Sequence, residues 1–270
     1  MPVEIHQMYA CPKCKMQLTE RLCERCGVTY PLVHGIPCFI VARPGDSGEE
    51  LRRTYDDIYR NHEDVWIDQG RSEQFQTYFA NLVGQTDRIL ELGCGEGTLL
   101  AALAGTHKYG IDPSIHALIR ARRRSAAECA LARAEELPFP SGSFDIVIAV
   151  GVMEHFQNPD AAAAEVRRVL APAGRYVALI HTDMTIRDRL ALKAREFFYP
   201  RPRPVALIKW IRKKIWHPIV QPLRRSYTID TARQCLERNG LAVQQIITRE
   251  TQPDAPLAGR HVVLFVAQSG

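Results

Sequence analysis

The stretch Arg88-Ile89-Leu90-Glu91-Leu92-Gly93-Cys94-Gly95-Glu96-Gly97 constrains this chain more than any other. A short apolar run meets three glycines at alternate positions, and Thr98, Leu99, Leu100 and Ala101 then begin a helix-forming segment. That order reads as a strand, a tight turn and a helix start, the opening unit of an α/β domain. Glycine lets the backbone take unusual dihedrals and lets a ligand approach closely. The free N–H groups of such a turn attract polar or anionic ligand groups. One residue, not two, separates Gly95 from Gly97, so the dinucleotide-binding fingerprint is not matched.

The segments that follow keep alternating. Lys108 to Ile111 reads as a second strand ending at Asp112, and Pro113 and a cap at Ser114 open the next helix. A carboxylate at the end of a second strand offers two oxygens to the two hydroxyls of a ribose, in a nicotinamide dinucleotide or another nucleoside cofactor. Ala134 to Pro140 is a loop after a third strand, and Ser143 to Ala149 is an apolar fourth strand closed by Val150 to Phe156. Asn158 and Pro159 start a helix that runs to Leu170 and stops at Pro172 and Gly174. Arg175 to Ile180 makes a fifth strand, Asp230 caps a helix over Thr231 to Asn239, and Val243 to Thr248 and His261 to Ala267 supply two more strands.

Before the α/β part stand two cysteine knuckles, Cys11-Pro12-Lys13-Cys14 and Cys23-Glu24-Arg25-Cys26-Gly27. Each places two thiolates on a tight turn, and four thiolates make a tetrahedral site suited to zinc. Such a site has no open position, so its role is structural. A ribbon this small buries too little apolar surface to fold alone, and metal binding supplies the folding energy. Cys38 lies outside the pattern.

These motifs carry four resemblances. The loop from Glu91 to Gly97 resembles the first motif of class I S-adenosylmethionine (SAM) methyltransferases, where it packs against the methionine end of the cofactor. Ala134-Glu135-Glu136-Leu137-Pro138-Phe139-Pro140 with Ser143-Phe144-Asp145-Ile146-Val147-Ile148-Ala149 closely resembles the ubiquinone/menaquinone-biosynthesis branch of those enzymes. The knuckles with Tyr30 to Pro37 resemble the zinc ribbon of the small activator subunit shared by some tRNA and release-factor methyltransferases. They are also similar to the ribbon preceding a bacterial rRNA guanine methyltransferase, whose site includes a histidine where this chain has only cysteines.

The resemblance implies a doubly wound, mostly parallel seven-stranded sheet over 84–270, a zinc ribbon over 1–43, and a linker with leading helices over 44–83. It implies SAM contacts at Glu91, Gly93, Cys94, Gly95, Gly97, Asp112, Pro113, Ala134, Glu135 and Val150, and structural zinc at Cys11, Cys14, Cys23 and Cys26. The leading helix lids the cofactor in similar enzymes, which brings Tyr55 or Tyr59 towards it. The family's acid just before the Ala-Glu pair is Arg133 here, which leaves adenine to the Ala134 backbone and Glu135. His155 stands beside the transferable methyl as a candidate base, or as a residue that holds the turn.

Charge bears on the acceptor. Twelve lysines and arginines against two acids between Arg187 and Arg225 give that segment +10, so the rest of a chain of net charge +5 carries −5. Within 183–227, longer than the fold requires, Leu207, Ile208, Ile211 and Ile215 recur at helical spacing among Lys209, Arg212 and Lys213, with Trp210 and Trp216 nearby. This pattern suits an anionic membrane surface and a hydrophobic or lipid-linked small-molecule acceptor. RNA docking and packing on the domain are the alternatives for the same residues, and a non-catalytic SAM-binding module is the alternative for the whole. No apolar run approaches the ~20 residues of a membrane span and no signal-peptide core opens the chain, so a soluble, cytoplasmic protein is expected, with peripheral association at the membrane as the further expectation from the basic segment.

Overall fold

The computed structural model describes residues 8–40, 47–62, 72–183, 225–257 and 261–269. The basic segment expected over 183–227, including Pro204 to Val220, lies almost wholly outside them.

The ribbon consists of four two-residue strands, β1 (Leu22–Cys23), β2 (Val28–Thr29), β3 (Leu32–Val33) and β4 (Ile36–Pro37), paired as two antiparallel hairpins. Two helices follow, α1 (Ser47–Asn61) and α2 (Glu73–Val83). The α/β part then runs β5 (Arg88–Leu92), α3 (Thr98–Ala102), β6 (His107–Asp112), α4 (Ile115–Ser125), β7 (Glu128–Leu131) and β8 (Phe144–Val150). It closes with α5 (Pro159–Val169), β9 (Leu170–His181), α6 (Ile229–Arg238), β10 (Leu241–Ile247) and β11 (Val262–Ser269).

Seven strands form one sheet in the order β10-β11-β9-β8-β5-β6-β7. β5 to β9 pair in parallel, and β11 runs antiparallel to both β9 and β10. This is the expected doubly wound, mostly parallel architecture. The strands read as continuous apolar runs because both faces are covered. Along β5, Leu90 and Leu92 enter one core with Tyr109, Val147 and Tyr176, while Ile89 enters the other with Ile146, Val177 and Leu264.

Two elements differ from the sequence reading. The fifth parallel strand starts at Leu170, directly after α5, and a register shift against β8 absorbs the Pro172-Ala173-Gly174 turn. The cap of α6 is Thr228, not Asp230: Thr228 Oγ1 accepts from the Thr231 N–H, and Thr231 Oγ1 accepts from the Thr228 N–H. This reciprocal box satisfies two donors at once, whereas a lone aspartate satisfies one.

The ribbon closes the β7 edge of the sheet. Cys38 bridges Leu131 in parallel register, the Phe39 N–H donates to the Leu131 carbonyl at 2.8 Å, and the Ala10 N–H donates to Pro138 at 2.9 Å. Tyr9, Tyr30 and Phe39 pack with Phe139, Tyr109 and Phe144 into one aromatic cluster. An exposed edge strand invites aggregation, and the ribbon covers this one with backbone pairing and aromatic area.

A second tie runs through Glu165 of α5. Its Oε2 accepts from Lys15 Nζ at 2.6 Å, the Leu137 N–H at 2.8 Å and Arg168 Nη2 at 2.8 Å. Burial raises the Glu165 carboxyl pKa, but hydrogen bonds and charge from Arg168 and Lys15 outweigh it and hold the group below the ordinary carboxylate range. The resulting stabilisation is present above the unfolded-state carboxylate range and is lost as pH falls through the lowered folded value. Glu165→Gln should therefore cost about 1.5–3 kcal/mol at pH 7. Urea melts at pH 7 and pH 3 should show that difference shrinking in acid.

Candidate functional site: a glycine loop, a buried aspartate and a four-cysteine cluster

The carboxyl ends of β5, β6, β7 and β8 gather the cofactor residues the sequence singles out. The loop after β5 is folded by its own backbone: the Cys94 N–H donates to Ile111 at 3.0 Å, and the Gly97 N–H donates to Cys94 at 2.9 Å. Gly93 sits at φ +61°, and a Cβ there would lie 2.4 Å from Val152 Cγ1. Gly97 sits at φ +72°, and its Cβ would lie 2.8 Å from the Ala121 Cα. The first glycine thus lets the loop meet the turn after β8, and the third lets α3 start against α4. Glu91 and Cys94 are buried beside them.

Asp112 ends β6 and is 4% exposed. Its Oδ2 accepts from the Gly95 N–H at 3.0 Å and its Oδ1 from the Ser114 N–H at 2.8 Å. Two backbone donors, one on each carboxylate oxygen, thus fix the orientation of the group. Pro113 joins it to α4, where Ser114 accepts from the Ala117 N–H as expected of a cap.

Asp56 of α1 was not singled out by sequence. Its Oδ1 accepts from Ser114 Oγ at 2.8 Å and the Ile115 N–H at 2.9 Å. The leading helix is thereby fixed over the start of α4. This brings Tyr55 to the strand ends, edge-on to His155 at 6.0 Å between centroids. Burial, with the nearby charges of Asp112 and Glu154, pushes the Tyr55 phenol well above its usual pKa, so it stays protonated. Tyr59 is buried on the same helix.

Ala134 opens a single 3-10 turn after β7, with Arg133 at its N-terminal boundary. Glu135 Oε1 accepts from the Gln157 N–H at 2.8 Å, tying this turn to the start of α5. Asn158 caps α5 by accepting from the Ala161 N–H. Val150 ends β8, half-buried at the same rim.

The four knuckle cysteines come together as read. Their Sγ atoms all lie within 4.8 Å of one another, with Cys11–Cys26 at 4.0 Å and Cys14–Cys23 at 3.3 Å. Tetrahedral Zn–S bonds of ~2.3 Å place sulfurs about 3.8 Å apart, so the spacing fits that ion. The knuckles are built alike: the Lys15 N–H donates to Cys11 and the Gly27 N–H to Cys23, both at 2.8 Å, and Lys15 and Gly27 both have φ +63°. Burial raises the Cys11 thiol pKa, but the Tyr30 hydroxyl and backbone amides outweigh it and bring the group to about 6, whereas the neighbouring Cys14 thiol pushes Cys26 up to about 12 and burial pushes Cys23 up, so without a metal the four sulfurs share their protons unevenly.

Residues 90–178 match the sequence profile of the family described as "Methyltransferase domain". Among curated relatives, an uncharacterized methyltransferase of Schizosaccharomyces pombe is 35% identical over 131 residues, 42% of this chain and 46% of that one. Demethylmenaquinone methyltransferase of Symbiobacterium thermophilum is 32% identical over 153 residues, 50% of this chain and 61% of that one. The chain spans about half the length of these curated relatives.

Of the solved structures, a Burkholderia thailandensis 1,6-didemethyltoxoflavin-N1-methyltransferase with bound S-adenosylhomocysteine superposes with a TM-score of 0.57 at 18% identity. The match covers 85% of this chain and 92% of that one, and the likeness is one of fold. The architecture is the Rossmann-like methyltransferase fold, with a cysteine cluster in a small N-terminal ribbon. Among the described residues, no helix is long and apolar enough to cross a membrane.

Proposed function

We propose that the chain is a SAM-dependent methyltransferase whose acceptor is a hydrophobic, lipid- or quinone-like small molecule taken from an anionic membrane surface. The observation that carries the reading is Asp112. It is a buried carboxylate at the end of the second parallel strand, held by the N–H groups of Gly95 and Ser114 within a methyltransferase domain.

Asp112 receives the ribose hydroxyls, and Gly93, Cys94, Gly95 and Gly97 form the close-fitting backbone wall beside Glu91. Pro113 and Val150 line the rim. The Ala134 backbone meets the adenine, while Glu135 acts through the loop it ties to Gln157. Bound SAM supplies a methyl group on a sulfonium, already activated. The protein's part is then to align an acceptor atom and exclude water, effects that supply ~7–11 kcal/mol of a barrier in well-oriented systems. Cys11, Cys14, Cys23 and Cys26 hold one structural zinc in a ribbon of the methyltransferase-activator type.

The acceptor class rests on the basic, tryptophan-bearing pattern of Pro204 to Val220 and on the similarity to an enzyme named for a menaquinone precursor. Flotation with anionic liposomes tests it. Wild type should float at low salt, and a variant with Lys209, Arg212, Lys213 and Lys214 neutralised should not. A wild type that stays in the bottom fraction removes the membrane reading.

For the cofactor, Asp112→Ala should weaken SAM binding by about 1–3 kcal/mol for the lost ribose contacts. Isothermal calorimetry with unchanged affinity would count against the ribose assignment.

A further inference from the structure

The turn after β8 carries a buried carboxylate that the cofactor reading leaves unused. Glu154 lies in the 3-10 turn Met153–His155, and its side chain is 2% exposed. Its Oε1 lies 2.6 Å from Nδ1 of His181, the last residue of β9. Its Oε2 is buried and has no hydrogen-bond partner among the described residues. The His181 side chain retains 26% of its surface exposed, so the ring is held from one side and open on the other.

The pair adjoins the glycine loop. Gly151, at φ +63°, starts the turn, and a Cβ there would meet His181 Cε1 at 3.2 Å. Its neighbour Val152 is the side chain against which Gly93 packs. Gly151 and Val152 thus lie between His181 and Gly93 of the glycine loop. His155 is placed differently, with its ring edge-on to Tyr55. Around His181 stand Glu154, the His261 ring at 6.4 Å between centroids, and Asp183 two residues on.

We infer that His181 is the proton acceptor of the transfer, that Glu154 is its positioning residue, and that the acceptor nucleophile is a neutral hydroxyl of the phenol or quinol type. This rests on the reading of the chain as a SAM-dependent methyltransferase. A buried carboxylate facing Nδ1 fixes the tautomer with the proton on that nitrogen, and this leaves Nε2 bare as a base. The carboxylate then stabilises the imidazolium that forms.

In the step, Nε2 takes the hydroxyl proton as an oxygen lone pair forms the new O–CH3 bond. The methyl–sulfur bond breaks, its electron pair stays on sulfur, and the products are the methyl ether, S-adenosylhomocysteine and protonated His181, which returns its proton to water. A carboxylate acceptor is already anionic and would need no such pair.

The test uses the full chain and the near-isosteric variants His181→Gln and Glu154→Gln. Long-range 1H–15N correlation on 15N-histidine-labelled protein with S-adenosylhomocysteine should show neutral His181 protonated on Nδ1 in wild type, with mixed tautomers in Glu154→Gln. A proton on Nε2 in wild type overturns the proposal.

With phenol, catechol and 1-naphthol as acceptors and methyl-tritiated SAM as donor, both variants should lose about 10²–10⁴-fold in turnover. Transfer undiminished in His181→Gln overturns the proposal, and if wild type uses none of the three probes the tautomer alone decides it. Calorimetry with SAM separates the two readings. Absence of binding by wild type defeats the methyltransferase reading, whereas binding with the wrong tautomer defeats only the base.

Discussion

Replacing Gly93 by alanine should abolish SAM binding at concentrations that saturate the wild type. Two costs fall on the same residue. A non-glycine side chain at φ +61° costs roughly 1–2 kcal/mol. The new Cβ would lie 2.4 Å from Val152 Cγ1, a separation real atoms do not tolerate, and such overpacking costs about 1–3 kcal/mol. The strain cannot be relieved on the loop side, because the Cys94 and Gly95 N–H groups are committed to Ile111 and Asp112. Relief must come from displacing the loop or Val152, and either spoils the proposed pocket. The double variant Gly93→Ala/Val152→Ala should recover part of the affinity, since it removes the 2.4 Å contact and leaves the dihedral cost and a tight 3.2 Å approach to the Cβ at position 152. Calorimetric titration of both variants checks this, and equal affinity in Gly93→Ala and wild type would show that the loop does not meet the cofactor.

Loss of the proposed zinc should be the most damaging change to stability. The ribbon strands are two residues each and cannot hold together by pairing alone. Structural zinc contributes ~10–16 kcal/mol of binding free energy in small domains of this kind. Without it, Tyr9, Tyr30 and Phe39 leave the cluster they share with Phe139, and the β7 edge is bared. At about 1.5–3 kcal/mol for each buried aromatic, the α/β part itself loses several kcal/mol, which lowers Tm by roughly 10–20 °C. Cys23→Ser or strong chelation should produce that drop together with protease sensitivity at the N-terminus. Elemental analysis should find about one zinc per chain in wild type. A metal-free protein with an unchanged melting curve and a resistant ribbon would refute the assignment.

What the sequence made legible is what local chemistry determines. Gly93, Gly97 and Asp112 are readable because a strand, a glycine turn and a strand-end acid are set by near neighbours. The knuckles are readable because each turn closes within five residues, at Cys11–Lys15 and Cys23–Gly27. Groups whose role depends on a distant partner were not legible. Asp56 meets Ser114 across 58 positions, Glu165 meets Lys15 across 150, and His181 meets Glu154 across 27. His155 is the histidine next to Glu154 in sequence, while the sheet brings His181 to that carboxylate through the β8–β9 pairing. Thr228 and Asp230 show the limit locally: both are good caps, and only the reciprocal bond with Thr231 chooses between them.

The central claim is that the glycine loop and Asp112 form a SAM pocket. Calorimetric titration of the purified full chain with SAM tests it most directly. One molecule should bind per chain, S-adenosylhomocysteine should compete for it, and Asp112→Ala should bind it more weakly. No heat of binding from a folded, zinc-loaded wild type would contradict it.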